Sequence, residues 1–193
     1  MAFRSSVSNV ASLRPPRQEP DEAAARLALL RSCLYLYVGE TPPIGLGVFT
    51  ARAVRAGAVL VADEDGTLHA RAMPLAEAIA RGWNRERDLF QLGPDLFLPP
   101  RGCFDDLFNH SCDPSCGWRL TPRGARFVAI RDLAAGEQLT YDYSCHLLGS
   151  DEHMVCHCGA PACRGIVGPF AELPPCLQRR YRSLGIVAAP LRG

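Results

Sequence analysis

Short apolar runs alternate with turn residues along this chain, and they predict a domain built mainly of strands. These runs contain β-branched and aromatic residues, and Gly or Pro residues close most of them. The strands that the pattern predicts are Cys33–Val38, Val54–Val61, Leu96–Leu98, Gln138–Tyr143 and a hairpin of Trp118–Leu120 with Ala125–Ile130. We therefore expect a mostly β fold with short helices.

Helical patterns are few and short. They predict helices at Glu22–Leu30, Leu75–Arg81 and Pro174–Leu184, the last with its arginines on the surface. Leu75 and Ile79 lie one helical turn apart, so we expect them to form the apolar face of the second helix. Phe104, Leu107 and Phe108 also show helical spacing.

Length and composition indicate one soluble domain. The chain has 193 residues, of which 48% are hydrophobic. Its longest apolar runs, such as Ala56–Ala62, are far below the ~18 residues of a membrane-spanning helix. Residues 1–20 contain Pro15, Pro16 and Pro20 with little apolar periodicity, which predicts a disordered tail.

Charge and cysteine content restrict the partners and the compartment. A net charge of +1 is not the excess of positive charge that is typical of proteins that bind nucleic acid or a membrane surface. We therefore expect neither as a direct partner. The nine cysteines are odd in number and clustered, and no secretory signal is visible at the start. These features favour a reducing compartment, cytoplasmic or nuclear, and metal binding over disulfides.

The segment Asn109–Cys116 concentrates polar chemistry around one proline. It combines an amide, an imidazole, two hydroxyls, a carboxylate and two thiols. Alone it is equally consistent with a polar loop whose side chains bond their own backbone.

Three later thiols give this segment a partner. Cys156, Cys158 and Cys163 follow a C-x-C-x4-C spacing without a fourth thiol of their own, and Cys112 can supply it. Closely spaced thiolates suit tetrahedral zinc in a closed structural site, with unligated buried cysteines as the alternative. Cys116 and His157 are competing ligands.

Two further motifs are ambiguous when taken alone. Gly45 and Gly47 allow a backbone to approach a ligand closely, but a plain hairpin turn uses the same residues. Tyr141 and Tyr143 share a face if both lie on one strand, as they also would on an ordinary aromatic sheet face.

Taken together and in this order, these segments resemble SET-domain protein lysine methyltransferases with a post-SET zinc segment. The resemblance covers roughly Cys33 to Ile166 and rests on Gly45–Phe49, Asn109–Pro114, Gly136–Tyr143 and Cys156–Gly165. It implies a SET-domain fold of small sheets with a pseudoknot-like threading. In this fold the Asn-His segment (Asn109–Pro114) lies beside the tyrosine strand (Gln138–Tyr143). It also implies S-adenosylmethionine as cofactor and a protein lysine as substrate.

The resemblance assigns roles to individual residues. Tyr143 would orient the reacting centre through its hydroxyl, and Tyr141 would govern how many methyl groups are added. The residues that it assigns to the cofactor are Gly45, Leu46, Gly47, Asn109, His110 and Tyr143. Two positions depart from the family pattern: Ser115 stands where an Asn is usual, which would weaken one turn contact, and Ile166 stands where relatives often place an aromatic over the cofactor.

Methyl transfer from a sulfonium to an amine is an in-line displacement, so alignment matters more than a strong base. An apolar channel and a nearby sulfonium charge both disfavour the ammonium form of lysine, whose ordinary pKa is ~10.4. Two alternatives remain open: a catalytically inactive, zinc-containing binding module of the same fold, and a cysteine hydrolase built on His110 and a neighbouring thiol.

The predicted organisation has four parts. Residues 1–20 form the tail, 33–150 the SET domain, 151–168 the post-SET zinc segment and 169–193 a C-terminal helical extension.

Overall fold

Small sheets dominate the computed structural model, which describes residues 35–147 and 153–187. The strands are β1 (Leu36–Thr41), β2 (Gly45–Thr50), β3 (Val59–Asp63), β4 (Phe90–Gly93), β5 (Leu96–Leu98), β6 (Asn109–His110), β7 (Cys116–Thr121), β8 (Gly124–Ala129), β9 (Gln138–Tyr141), β10 (Met154–Val155) and β11 (Ile166–Val167). The helices are α1 (Leu68–Arg71), α2 (Leu75–Ala80), α3 (Arg85–Asp88) and α4 (Pro175–Leu184), with 3-10 turns at Phe104–Leu107, Tyr143–Cys145 and Phe170–Glu172.

The largest sheet joins distant parts of the chain in the order β1-β2-β9-β6. Strands β6 and β9 pair in parallel, which aligns Asn109 with Thr140 and His110 with Tyr141. A parallel pair cannot be closed by a tight hairpin, so the chain between them forms the β7-β8 hairpin before it returns. The Asn-His segment therefore lies beside the tyrosine strand, as the resemblance implies.

Two hydrophobic clusters of the described residues hold the fold together. The larger one lies between the β1-β2-β9-β6 sheet and the β3-β8-β7 sheet, and includes the fully buried Val48, Leu60 and Leu139. The smaller one joins the C-terminal helix to the body of the protein through Phe170, Tyr181 and their neighbours. The C-terminal extension thus buries its own apolar face within the domain.

Several predicted elements are confirmed. The hairpin forms as β7 and β8, Leu96–Leu98 forms β5, and the last helix forms as α4 with its arginines exposed. The first predicted strand runs on to Thr41. The strand predicted at Val54–Val61 begins only at Val59, as β3, because Gly57 occupies a turn with φ +85°. The tail, the helix predicted at Glu22–Leu30 and the first two residues of the Cys33 strand lie outside the described residues.

The prediction that Leu75 and Ile79 form the apolar face of α2 is wrong. Ile79 is 55% exposed, whereas Ala78 is fully buried. Ala76, Ala78 and Ala80 are also apolar. The spacing of Leu75 and Ile79 alone therefore does not determine which face of this six-residue helix is buried.

The prediction that Tyr141 and Tyr143 share one strand face is also wrong. Strand β9 ends at Tyr141, and Tyr143 begins a 3-10 turn. The Asp142 carboxylate accepts a hydrogen bond from the backbone N–H of Ser144 at 3.1 Å, which caps this turn and bends the chain. The two phenol rings still meet, with centroids 4.7 Å apart.

Within the described ranges, no helix is long and apolar enough to cross a membrane.

Gly117 tests how tightly the C-terminal segment packs on β7. A Cβ at this position would lie 2.6 Å from Cβ of the buried Ile186. We expect Gly117→Ala to lower the free energy of unfolding by about 1–3 kcal/mol, because an extra carbon strains a filled core. Urea denaturation measures this effect.

Gly93→Ala is the matched control, since its Cβ would meet Leu96 at an ordinary 3.4 Å. Equal stability changes in the two variants would contradict the close packing of Ile186 on β7.

Candidate functional site

Asn109 ties the Asn-His segment to the Gly-x-Gly strand. Its side-chain N–H donates to the Leu46 carbonyl at 2.9 Å and to the Thr41 hydroxyl at 3.4 Å. Because β6 and β2 both lie beside β9, this amide bridges the two strands that flank β9. The structure thus brings together two motifs that are more than sixty residues apart.

Gly47 is required by the side chains that converge on it. A Cβ there would lie 2.5 Å from Gln138 Nε2 and 3.0 Å from Asn109 Nδ2. Gln138 Nε2 is buried and has no hydrogen-bond partner among the described residues. Gly45 has a φ of +116° and nothing near its missing side chain, and Leu46 is 51% exposed. Exposed backbone beside an unpaired donor fits a polar ligand such as S-adenosylmethionine.

His110 orients the start of the 3-10 turn at Tyr143–Cys145, which we call the tyrosine turn. Its Nδ1 accepts a hydrogen bond from the backbone N–H of Tyr143 at 3.2 Å, and its ring lies edge-on to the Tyr143 phenol. Burial lowers the pKa of His110 to about 4, so the imidazole is neutral at neutral pH. A neutral ring can accept this backbone bond, which an imidazolium could not.

Tyr143 presents its hydroxyl in a partly buried position. The hydroxyl donates to the Phe108 carbonyl at 2.9 Å, on the residue just before the Asn-His segment. Burial raises the pKa of Tyr143 to about 12 and that of Tyr141 well above its ordinary value. Both phenols therefore stay protonated, and the Tyr143 hydroxyl acts as a hydrogen-bond donor.

A cavity of about 860 Å³ opens next to the two tyrosines. We call it the aromatic cavity, since the rings that line it are those of Phe90, Phe97, Phe108, Trp118, Phe127, Tyr141, Tyr143, His146 and His153. Charged residues also line it, and Arg71 and Arg101 both pair with Asp63 there. An aromatic wall beside a buried phenol suits the alkyl chain of a lysine.

Asp142 joins three separate parts of the chain. The residue is 1% exposed, and its carboxylate receives two hydrogen bonds from the Arg164 guanidinium, both at 2.8 Å. The Tyr181 hydroxyl of α4 donates to the same carboxylate at 3.0 Å. Asp142 therefore links the tyrosine turn to the thiol segment and to the C-terminal helix.

The thiols converge on one point. Ligand atoms of His110, Cys112, Cys156 and Cys158 all lie within 4.8 Å of one another, with the Cys112 and Cys156 sulfurs 3.7 Å apart. Cys163 is not part of this set, although its side chain interacts with those of Cys156 and Cys158. The structure thus brings three of the four predicted thiols together, and His110 is the fourth member of the set.

The competing ligands lie elsewhere. Cys116 is fully buried and donates to the Thr140 carbonyl at 3.3 Å, and His157 is exposed and outside the cluster.

Backbone donors surround the cluster. The N–H of Arg164 donates to Cys112 Sγ, and that of Gly165 donates to Cys163 Sγ, each at 3.4 Å. Burial tends to raise the pKa of Cys158, but N–H groups of Cys112 and Ala160 outweigh it and lower that pKa to about 6. Converging thiols with N–H donors match the thiolate donor set of tetrahedral zinc.

A family model described as the SET domain matches residues 45–144. The chain belongs to the SET-domain family. The matched range begins at Gly45 and ends just after Tyr143, so it contains the Gly-x-Gly strand, the Asn-His segment and the tyrosine turn.

Relatives of the SET-domain chain include histone-lysine N-methyltransferases. Over 70 residues it is 43% identical to the ATX2 enzyme of Arabidopsis thaliana, which is 34% of this chain and 6% of that protein. Over 72 residues it is 40% identical to an H3 lysine-4 specific enzyme of Saccharomyces cerevisiae, which is 35% of this chain and 7% of that protein. The chain therefore spans only a small part of the curated relatives it matches.

A solved structure shares the fold. KRYPTONITE in complex with mCHG DNA and SAH superimposes with a TM-score of 0.50 at 21% identity, covering 68% of this chain and 28% of that chain. This likeness supports the mostly β SET-domain architecture described above.

Both departures from the family pattern have visible consequences. The Ser115 hydroxyl donates to the Gln138 carbonyl at 3.0 Å and accepts from the Thr140 N–H at 2.8 Å, so serine ties this turn to β9. Ile166 lies in β11, paired with Val155, and is 48% exposed. Ser115 therefore retains turn contacts, while Ile166 offers an uncovered aliphatic surface.

Metal analysis can assign the ligands. We expect Cys112→Ser to lose most bound zinc, because a hydroxyl is a poor replacement for a thiolate, and Cys116→Ser to retain it. Atomic emission spectroscopy of the purified variants measures the zinc content. Loss of zinc in the Cys116 variant alone would contradict the assignment, and loss in His110→Gln but not in Cys163→Ser would replace Cys163 by His110.

Proposed function

We propose that this SET-domain chain transfers a methyl group from S-adenosylmethionine to the side-chain amine of a protein lysine. The observation that carries the proposal is the position of Tyr143. Its hydroxyl is anchored to Phe108 next to the Asn-His segment, while its ring lines the aromatic cavity. One residue thus borders both the proposed cofactor side and the proposed substrate side.

The proposed cofactor residues are Gly45, Leu46, Gly47, Asn109, His110 and Tyr143. S-adenosylmethionine, when bound, supplies a methyl group on a sulfonium. The chain would bind it along the backbone of Gly45, Leu46 and Gly47. The hydrogen bond from the Asn109 side chain to the Leu46 carbonyl holds this backbone in place.

The proposed substrate side is the aromatic cavity. Its rings can bury the lysine alkyl chain, and removal from water lowers the pKa of the ammonium toward the neutral, nucleophilic form. Tyr143 and Tyr141 stay protonated there, so their hydroxyls can orient the amine without taking its proton.

The proposed zinc ligands are Cys112, Cys156, Cys158 and Cys163. Zinc held by all four thiolates has no open position, so its contribution is structural. It would fix the post-SET segment against the Asn-His segment, since Cys112 follows His110 by two residues.

A protein lysine is the proposed partner. Relatives are named histone-lysine methyltransferases, which makes histone H3 the first acceptor to test. We expect no direct nucleic-acid binding, and a reducing compartment, cytoplasmic or nuclear. The DNA in the KRYPTONITE complex belongs to that protein.

A cysteine hydrolase fits less well. His110 Nε2 lies 3.4 Å from Cys112 Sγ, as in a nucleophile-base pair. However, burial raises the pKa of Cys112, and its sulfur faces Cys156 rather than the aromatic cavity. An inactive binding module would more easily explain the fold if Tyr143, Asn109 or His110 were missing, and all three are present.

Removal of the Tyr143 hydroxyl tests the proposal. We expect wild type to transfer radiolabelled methyl groups to histone H3 or to another protein of an acceptor panel. Tyr143→Phe should slow single-turnover transfer on the order of 10²-fold, the usual cost of one positioned donor. Cofactor binding by calorimetry should change little, because the ring remains. A rate close to wild type would rule out the catalytic role.

Removal of the Tyr141 hydroxyl tests product control. Tyr141 is buried against Tyr143, so we expect wild type to add mainly one methyl group. Tyr141→Phe should shift the product toward dimethyl- and trimethyl-lysine, because the methylated amine gains room to rotate. Mass spectrometry of the product measures the distribution, and trimethyl-lysine as the main wild-type product would refute this role.

A further inference from the structure

His110 contacts two parts of the proposed site through its two ring nitrogens. Nδ1 accepts a hydrogen bond from the backbone N–H of Tyr143 at 3.2 Å, at the start of the tyrosine turn. Nε2 lies 3.4 Å from Sγ of Cys112, within the thiol cluster. The side chain is only 9% exposed, so one buried imidazole connects the tyrosine turn with the thiol cluster.

The hydrogen bond at Nδ1 determines which nitrogen of His110 carries the ring proton. A backbone N–H can only donate, so Nδ1 must offer its lone pair to Tyr143 and carries no proton. A neutral imidazole without a proton on Nδ1 carries its proton on Nε2. Nε2 is therefore the donor, and the Cys112 sulfur is the acceptor.

This tautomer also decides between two interpretations of the short distance from Nε2 to the Cys112 sulfur. A sulfur and a nitrogen that bind one tetrahedral zinc lie at a similar separation, because the bonds to zinc are about 2.3 and 2.0 Å long. A zinc-binding Nε2 must be unprotonated, however, and the ring proton would then lie on Nδ1. The hydrogen bond from Tyr143 is incompatible with that proton, so His110 is a donor to the thiolate and not a zinc ligand.

A buried thiolate at Cys112 needs such donors. The residue is 6% exposed, and its sulfur also accepts the backbone N–H of Arg164 at 3.4 Å. Four thiolates carry more negative charge than one zinc ion neutralises, and buried charge is costly without hydrogen bonds. Donors next to the metal ligands stabilise this charge and orient the sulfurs.

We propose that His110 is a positioning residue that couples the proposed zinc site to the tyrosine turn. Its Nε2–H donates to the zinc-bound sulfur of Cys112, while its Nδ1 holds the backbone of Tyr143. This inference rests on the proposed function for the zinc and for the role of Tyr143. The fourth ligand position belongs to Cys163, whose side chain interacts with those of the other two post-SET thiols.

Nuclear magnetic resonance of the 15N-labelled protein tests the donor directly. With 113Cd in place of zinc, we expect the His110 ring proton on Nε2 and a scalar correlation from this proton to the metal through the Cys112 sulfur. The Arg164 N–H donates to the same sulfur at the same distance and is the internal control. A proton on Nδ1, a one-bond coupling of Nε2 to 113Cd, or no correlation of an Nε2 proton with the metal would overturn the proposal.

Two variants separate the two hydrogen bonds of His110. The amide of His110→Asn can occupy the place of Nδ1 and keep the bond to Tyr143, whereas that of His110→Gln can occupy the place of Nε2 and reach Cys112. We expect His110→Asn to lower zinc affinity on the order of tenfold, as the loss of a contact to a metal ligand does, and to leave the Tyr143 amide protected. His110→Gln should keep zinc affinity and speed hydrogen exchange of the Tyr143 amide.

Competition with a chromophoric chelator measures the zinc affinity, and exchange into heavy water measures the protection of the Tyr143 amide. A histidine that merely fills space would change both readouts together. Parallel changes in the two variants, or wild-type zinc affinity in His110→Asn, would therefore count against the proposal.

Failure of this inference can be distinguished from failure of the proposed function. If the folded, zinc-replete protein transfers methyl groups to no protein of the acceptor panel, the proposed function fails, whichever nitrogen of His110 carries the proton. If the protein transfers methyl groups but carries the His110 proton on Nδ1, only the inference about His110 fails.

Discussion

The buried pairing of Asp142 with Arg164 is the interaction on which the site depends. Asp142 lies between the two tyrosines, and both of its oxygens are held by the guanidinium of a residue that follows Cys163 directly. Removing one partner of such a buried pair leaves an uncompensated charge and typically costs about 3–5 kcal/mol. The tyrosine turn and the thiol segment are therefore coupled, and Tyr181 extends this coupling to the C-terminal helix.

This coupling explains how local motifs form one site. The parallel pairing of β6 with β9 aligns His110 with Tyr141, and Asn109 then reaches the Gly-x-Gly strand. Two residues after His110, Cys112 enters the thiol cluster. A short stretch of chain thus contacts the proposed cofactor side, the tyrosine turn and the proposed metal site, which accounts for its density of polar groups.

Much of this could be predicted from the sequence. Turn residues and alternating apolar positions identify the β7-β8 hairpin, and the thiol spacing identifies the cluster at Cys112. The hairpin signal is local in the sequence, and the cluster signal depends on cysteine, a residue type with few other uses. The family pattern also gives the contact between the Asn-His segment and β9, which no local signal provides.

Other features depend on tertiary packing. Tyr143 turns out of the strand because Asp142 caps the next turn, and a capping aspartate cannot be distinguished in sequence from a strand aspartate. Ile79 is exposed because the one fully buried residue of α2 is the small Ala78. Two site residues were missed because only the fold places them. His146 lies at the aromatic cavity, and Arg164 lies at Asp142. An arginine directly after a cysteine cluster, and a histidine three residues after Tyr143, were the available signals.

Binding of S-adenosylmethionine is the property that decides whether this site transfers methyl groups, because the Gly-x-Gly strand, Asn109 and His110 are its proposed binding surface. Isothermal titration calorimetry on the zinc-replete protein should show saturable, stoichiometric binding, which Asn109→Ala weakens by releasing the Leu46 carbonyl. Absence of binding to a correctly folded, zinc-replete protein would contradict the account and would favour the inactive module.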